Sequence, residues 1–302
     1  MKAYRASRKF SDALVTVVKA VILVVLVCYC ISLLFPIVWM VINSLKDEYD
    51  YAVDLFGFPT IWKFSNYSTV LRLIRVPVRI GKGIRNVGIG LMVYHSLFRA
   101  ILTPAVTVFF KACCAYCLAK YTFRGRRFLY RLGIVVMILP IVGALPSALM
   151  VHKALGTYNN MYLFLVISPN NIFGMDFLIF YGAFKVLSWE YAEAAFIDGA
   201  SHYTVMFRIM LPMVLPLCVV YFVLGFLGTW NDYSTPLIWL PSYPNLAYGL
   251  YYFQLSTTSG AEGTSSPMIL AGYTIVMIPT VILYLLCHKV IIEKFTVGGL
   301  KE

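Results

Sequence analysis

The sequence predicts an all-α integral membrane protein with about six transmembrane helices, and three observations carry that prediction. Of its 302 residues 61% are hydrophobic and only 13% charged, roughly half the charged share of a soluble domain, and the mean hydropathy is +0.80. The apolar residues are gathered into runs of about 20 or more, the length a helix needs to cross a bilayer core. Short basic clusters flank those runs: Lys2, Arg5, Arg8 and Lys9 precede the first, and Lys120, Arg124, Arg126, Arg127 and Arg131 separate two others, as the positive-inside rule produces.

In chain order, a tail of residues 1–13 precedes a first span at 14–40, too long for a signal-peptide core and followed by no small-residue cleavage site, so it reads as a retained helix. A polar segment, 43–87, separates it from a second run at 88–120 that carries Arg99, Pro104 and Lys111. Arg99 is expected to snorkel to an interface; Lys111 lies deeper, where a charge is costly unless it snorkels or faces a polar cavity. The third span, 132–151, contains Pro140 and Pro146, and the fourth, 161–184, contains Pro169 and Asp176. A charged interlude at 185–208 is too polar to cross lipid; a fifth span follows at 209–229 and a sixth at 268–287. The transmembrane domain is thus 14–288, with a tail at 289–302. Six spans put both termini on one side, and the basic N-terminal cluster makes that side cytoplasmic. Lys63, Arg72, Arg75, Arg79, Lys82 and Arg85, in the first external segment, run against a simple count of positive charge.

The sequence argues against several function classes. The net charge of +12 sits beside spans and is not gathered into a nucleic-acid-binding face. Cys28, Cys30, Cys113, Cys114, Cys117, Cys218 and Cys287 all lie inside apolar runs, where cysteine acts as a small hydrophobe. Cys113, Cys114 and Cys117 share a helix, but no histidine or carboxylate stands near them in sequence. His95, His152, His202 and His288 lack metal-ligand spacing, and there is no G-x-S-x-G nucleophile motif. A phosphate loop is also missing: Gly81-Lys82 lacks the leading glycine and the Ser/Thr.

The most informative stretch is Glu190-Tyr-Ala-Glu-Ala-Ala-Phe-Ile-Asp-Gly-Ala-Ser201, followed by Ile209-Met-Leu-Pro212. It combines good helix formers, Ser188 as an N-cap, and Glu190 and Glu193 at the positive end of the helix dipole. Ala194 and Ala195 keep the surface slim, and Gly199 interrupts the helix. A short helix, a glycine bend and re-entry into the membrane at Pro212 suit docking into a groove on another protein; an amphipathic loop helix with no partner is the alternative.

Glu193-Ala194-Ala195, Gly199 and Ile209-x-Leu211-Pro212 resemble, with spacing intact, the EAA motif of bacterial ABC-importer permeases, and Asp198-Gly199-Ala200 is a typical extension. Trp230-Asn231-Asp232-Tyr233 with Pro236-Leu237 is similar to a signature of carbohydrate permeases of the maltose-transporter type, in their shorter, six-span partner. Ala115-Tyr116-x-Leu118-Ala119 with Phe123-Arg124-Gly125-Arg126, and the tail Phe295-x-x-Gly298-Gly299-Leu300-Lys301, extend the likeness, which covers most of the chain from Ser96 onward and, more loosely, the first span with Ser44-Leu45-Lys46. Asn66–Tyr94 departs from it, being longer and more basic, and Lys111 stands where a small or apolar residue is usual.

The resemblance implies a type I ABC importer permease fold in a bacterial cytoplasmic membrane. It also implies a second homologous permease subunit, two cytoplasmic ATPase subunits that bind ATP and Mg, and an extracytoplasmic solute-binding protein; no cofactor is implied for this chain, and its remaining contact is membrane lipid. Glu190, Glu193, Ala194, Ala195, Asp198, Gly199 and Ala200 would form the ATPase-coupling segment. The substrate path would draw on Trp230, Asn231, Asp232 and Tyr233 after the fifth span and on Asp176 and Tyr181 in the fourth. For each of these an aromatic belt, a helix cap or an interhelical hydrogen bond is the alternative. The basic stretch Arg72–Arg85 suits an acidic oligosaccharide, an acidic patch on the binding protein, or lipid phosphates. A non-sugar importer, an ion-coupled transporter using Lys111 and Asp176, and a membrane enzyme are the competing functions.

Overall fold

The computed structural model describes residues 2–81, 83–139, 143–167, 172–261 and 263–297; Lys82, Pro140, Pro169 and the Gly298–Lys301 tail motif lie outside them. The helices are α1 Lys2–Ser44, α2 Glu48–Val53, α3 Ser65–Leu73, α4 Ile89–Lys120, α5 Arg126–Ile138, α6 Leu145–Ala154, α7 Met161–Ile167, α8 Met175–Val186, α9 Glu190–Ile197, α10 His202–Thr204, α11 Leu211–Asn231, α12 Ser234–Ile238, α13 Leu246–Thr258 and α14 Ser266–Val297. A π-helical turn, Val205–Met210, joins α10 to α11. Among the described residues, four helical stretches are long and apolar enough to cross a membrane: Val15–Ser44, Ile89–Lys120, His202–Asn231 and Ser266–Lys289.

The structure corrects several expected boundaries. The tail 1–13 is not separate, because α1 is already helical from Lys2. The expected third and fourth spans are not single helices: 132–151 falls on α5 and α6, and 161–184 on α7 and α8. The fifth span begins before residue 209, since the helix starts at His202. Ser201 is its N-cap, with Oγ accepting from the Thr204 amide at 3.2 Å, so the loop expected at 185–208 ends at Ser201. Pro212 was a misleading boundary: it lies one residue into α11, where a proline is tolerated.

The chain divides into two compact units, one from the chain up to Leu71 with Thr257–Ile275, the other from Arg72–Ser256 with the chain from Val276 onward. In the first unit, α1 exposes apolar side chains all round between Val15 and Val38, the surface of a helix made for lipid or another apolar helix. Its last turn holds the polar segment in place. Asn66 Nδ2 donates to the Ser44 and Lys46 carbonyls, both at 2.9 Å, Ser44 Oγ meets Tyr67 Oη at 2.6 Å, and Trp39 Nε1 donates to Leu55 O at 2.7 Å. Ser44, Lys46 and Asn66 are buried, so the polar end of α1 is packed against the start of α3. The amides of Gly57 and Phe56 donate to Asp54 and hold its carboxyl below the usual range.

The second unit opens with a feature unexpected in an all-α chain: strands β1 Arg75–Ile80 and β2 Gly83–Gly88 pair antiparallel, with Val76 opposite Val87 and Arg79 opposite Ile84. Val76, Val78 and Val87 are buried while Arg75 and Arg79 are exposed on the other face.

Its core is built on α4. Ala112 and Ala115 leave room for Phe177, Phe180 and Phe184 of α8, which recur three and four residues apart and so share one face. Further along, Pro104 of α4 meets Gly225 of α11 so closely that a Cβ on Gly225 would lie 2.7 Å from the Pro104 Cβ. Neither atom belongs to a flexible side chain that can swing aside. Gly225→Ala should therefore cost about 1–3 kcal/mol as overpacking, lowering the thermal midpoint of the purified protein. Pro104→Gly in the same chain should recover part of the loss.

Candidate functional site

α9 is an eight-residue helix whose inward side joins the α4–α8 core through Ala192 and Ala195, both buried. The pair Ala194-Ala195 is therefore split: Ala195 faces the core, and Ala194 is exposed with Glu190, Glu193, Asp198 and Gly199. Ser188 Oγ accepts from the Glu190 amide at 3.2 Å. Gly199 has φ +80° with open space around it, so its role is set by the left-handed backbone, which side chains disfavour. The Ala200 amide returns to the Ala195 carbonyl at 2.9 Å, closing the turn. Val186, Tyr191, Ile197 and Tyr203 are exposed around the segment, an apolar surface of the kind a partner covers.

A clasp that sequence reading missed ties this segment to the end of α4. Tyr121 packs edge-on against Trp189 and His202, with centroids 5.9 and 5.7 Å apart, Phe196 packs on His202 at 4.8 Å, and Tyr121 Oη meets His202 Nδ1 at 3.1 Å. Lys120 Nζ donates to the Leu187 carbonyl. The only signal in sequence was the density of aromatics on either side of the segment.

The six residues expected on the substrate path are scattered. Trp230 is buried, stacked on Phe226 at 5.8 Å, and its Nε1 donates to Val276 O at 3.0 Å. Asn231 Nδ2 donates to the Leu227 carbonyl one turn back. Tyr233 stacks on Tyr251 at 4.6 Å, and Tyr181 packs against Tyr130 at 4.7 Å.

Asp232 is an anchor. It accepts from the Ser234 and Thr235 amides, both at 3.0 Å, at the start of α12, and from Arg99 Nη2 at 3.1 Å. Arg99 thus does not snorkel; it is buried within α4. Burial pushes the Asp232 carboxyl up, but hydrogen bonds from Thr235 and Ser234 and the Arg99 charge outweigh it and leave the group below its ordinary value. Around this pair, Ser96 Oγ accepts from the Leu246 amide at 2.8 Å, Asn245 Nδ2 donates to Asp232 O at 2.8 Å, and His95 Nδ1 donates to Pro244 O at 2.9 Å. Because a carbonyl only accepts, that contact places the His95 proton on Nδ1.

Asp176 has a different setting. It lines a cleft of about 490 Å³ with Thr103, Thr107, Tyr221 and Thr229, from α4, α8 and α11. Lys111, buried on α4, gives its ammonium to Asp176. The two groups named as candidates for ion coupling therefore hold each other.

Residues 112–296 match the family model of the binding-protein-dependent transport system inner membrane component. The chain belongs to this family. The matched range begins within α4 and takes in the α9 segment, α11 and the Trp230–Tyr233 stretch. The permease is 29% identical over 283 residues to the probable ABC transporter permease protein YurM of Bacillus subtilis, covering 92% of this chain and 87% of YurM. It is 26% identical over 275 residues to the arabinooligosaccharides transport system permease protein AraQ of the same organism, covering 89% of this chain and 90% of AraQ. Among solved structures, a bacterial ABC transporter involved in the import of the acidic polysaccharide alginate superposes with a TM-score of 0.73 at 21% identity, over 92% of this chain and 97% of that one. The type I permease fold is thereby shared, and the permease is a membrane component of an ABC import system.

Proposed function

We propose that the permease forms half of the translocation path of an ATP-driven importer for a carbohydrate, most simply an oligosaccharide. The observation that carries this reading is the exposed α9 turn, with Glu193, Ala194 and Asp198 outward and Gly199 at φ +80°, in a chain of the transport family. The substrate class rests on likeness to AraQ, named for arabinooligosaccharide transport.

On this reading α9 and its bend sit in a cleft of a cytoplasmic ATPase, and both chain termini are cytoplasmic. Two such ATPases bind ATP and Mg and hydrolyse the nucleotide; this chain does not. Closure of the ATPase pair drives α9, and the Tyr121–Trp189–His202 clasp passes the displacement to α4 while the helix from His202 passes it to α11. A second, homologous permease completes the path, and an extracytoplasmic binding protein delivers the solute.

The test is uptake of a panel of labelled oligosaccharides into vesicles holding the full importer, with and without ATP. Uptake that requires ATP names the substrate class. Uptake indifferent to ATP, or confined to non-sugar solutes, sinks the corresponding half of the proposal. Tyr121→Ala, which opens the clasp, should lower ATP-driven uptake several-fold while ATPase subunits still co-purify.

A further inference from the structure

The cleft between α4, α8 and α11 has features that the fold alone does not require. Its polar groups come from three helices: Thr103 and Thr107 from the middle of α4, Asp176 from the first turn of α8, and Tyr221 and Thr229 from α11. Its volume, about 490 Å³, lies in the range of small-molecule sites. Thr103 lies some 21 Å along α4 from Ile89 at 1.5 Å per residue, far from either end of the 32-residue helix. Hydroxyls and a carboxylate at that depth are unfavourable against hydrocarbon and favourable against water or a polar solute.

The ion pair is asymmetric. The Lys111 side chain is 9% exposed and that of Asp176 25%, and Lys111 is not part of the lining. The ammonium approaches the carboxylate from the protein side, while the carboxylate faces the cleft. One Asp176 oxygen accepts from Lys111 and the other from the Phe177 amide at 3.0 Å. A carboxylate has about four lone-pair sites, so both oxygens retain capacity for further donors.

We propose that this cleft is a subsite for a neutral sugar ring, in which Asp176 accepts hydrogen bonds from sugar hydroxyls, Thr103 and Tyr221 contribute hydroxyl contacts, and Lys111 is a positioning residue that keeps the carboxylate aimed. The proposal rests on the carbohydrate-permease reading above and deepens it. A polyol supplies the donors that a carboxylate needs. A uronate brings a second carboxylate against Asp176 and is disfavoured, so the subsite discriminates against acidic sugars. Lys111 thereby gains a role in selectivity without touching the substrate.

The test uses the complete importer, and measures direct binding of labelled neutral and uronate oligosaccharides to the permease–ATPase complex without the binding protein, whose own affinity would otherwise set the apparent constant. ATP-driven uptake with the binding protein is measured in parallel. The variants are Thr103→Val, Tyr221→Phe, Lys111→Arg, Lys111→Met and the double variant Lys111→Met with Asp176→Asn, which removes both charges together. Loss of one or two hydrogen bonds should raise the Kd for the neutral sugar roughly fivefold in the hydroxyl variants and about tenfold in the double variant. The double variant should also narrow the preference for neutral over uronate sugars, and Lys111→Arg should keep the wild-type preference where Lys111→Met does not. If the double variant fails to assemble, Thr103→Val and Tyr221→Phe decide the matter. Sugar uptake with unchanged Kd in those variants overturns the subsite alone. Absence of uptake for every sugar in the wild type overturns the carbohydrate reading and the subsite with it.

Discussion

Gly199→Val should reduce ATP-driven uptake about tenfold or more, while Gly199→Asn keeps a substantial part of it. The backbone at residue 199 has φ +80°, and a Cβ there meets nothing within 4 Å, so the penalty is conformational and not steric crowding inside the chain. A left-handed conformation costs a typical side chain about 1–2 kcal/mol, and asparagine visits it readily. A β-branched residue is a genuine outlier there. Because Ala200 closes the turn back onto Ala195, relief of that strain must unwind the last turn of α9 and move Asp198 and Gly199 out of the shape that the proposed docking requires. The measurement is a pair: uptake into vesicles, and recovery of ATPase subunits with the tagged permease. Full activity in Gly199→Val would mean that the bend is not the docking element.

The second large effect concerns the Arg99–Asp232 pair, and its two halves should behave differently. Asp232→Ala leaves a guanidinium that is 6% exposed, with Nη1 already lacking a partner. Breaking a buried pair from that side costs about 3 kcal/mol or more. Arg99→Met leaves instead a carboxylate that is 22% exposed and still accepts from Ser234 and Thr235. Its cost should be clearly smaller. Thermal unfolding of the purified protein should rank Asp232→Ala well below Arg99→Met; the reverse order would show that the aspartate, not the arginine, carries the unmet charge. The pH dependence follows from the sign of the Asp232 shift. Its folded value is depressed, so the pair's contribution is fully present above the unfolded aspartate value of about 3.9. It is lost only as pH falls through the lower folded value, and stability should not vary on its account between about pH 5 and 8.

The features legible in the sequence were those with local causes. Span α4 was placed within one residue at its start because an apolar run of that length has one cheap conformation in lipid. The α9 turn was legible because helix formers and a glycine follow one another within a dozen residues, although the N-cap position falls to Trp189 and not to the expected Ser188. The hairpin was missed although its signal was present: Arg75-Val76-Pro77-Val78-Arg79 alternates with period two and leads into Gly81, a pattern hidden by reading the whole segment as polar. Long-range pairs left no local trace. Lys111 and Asp176 are 65 residues apart, Arg99 and Asp232 133, so each charge was read alone: Arg99 as snorkelling, Asp232 as a substrate contact, Lys111 and Asp176 as candidates for ion coupling, with Asp176 also on the substrate path. The substrate-path residues near Trp230 were chosen for chemical type, and type alone did not reveal that most of their polar atoms are engaged within the protein, while Thr103 and Tyr221, on the cleft, looked like ordinary span residues.

The π-helical turn Val205–Met210 has a mechanical consequence. Pro212, with no amide hydrogen, cannot serve the Arg208 carbonyl, and the widened turn, in which the Leu211 amide reaches back to Met206 O, takes up the misfit with one surplus residue. Absorbing that residue into α-helical register would rotate everything beyond it by about 100°. Such a rotation would carry Gly225 off Pro104, where the two helices touch too closely for any side chain to intervene. The contact between Gly225 and Pro104 therefore holds the register of the turn, and on the coupling proposed for α9 the stretch from Ser201 to Asn231 would act as a crank, delivering a rotation at Ser201 to Tyr221 and Thr229.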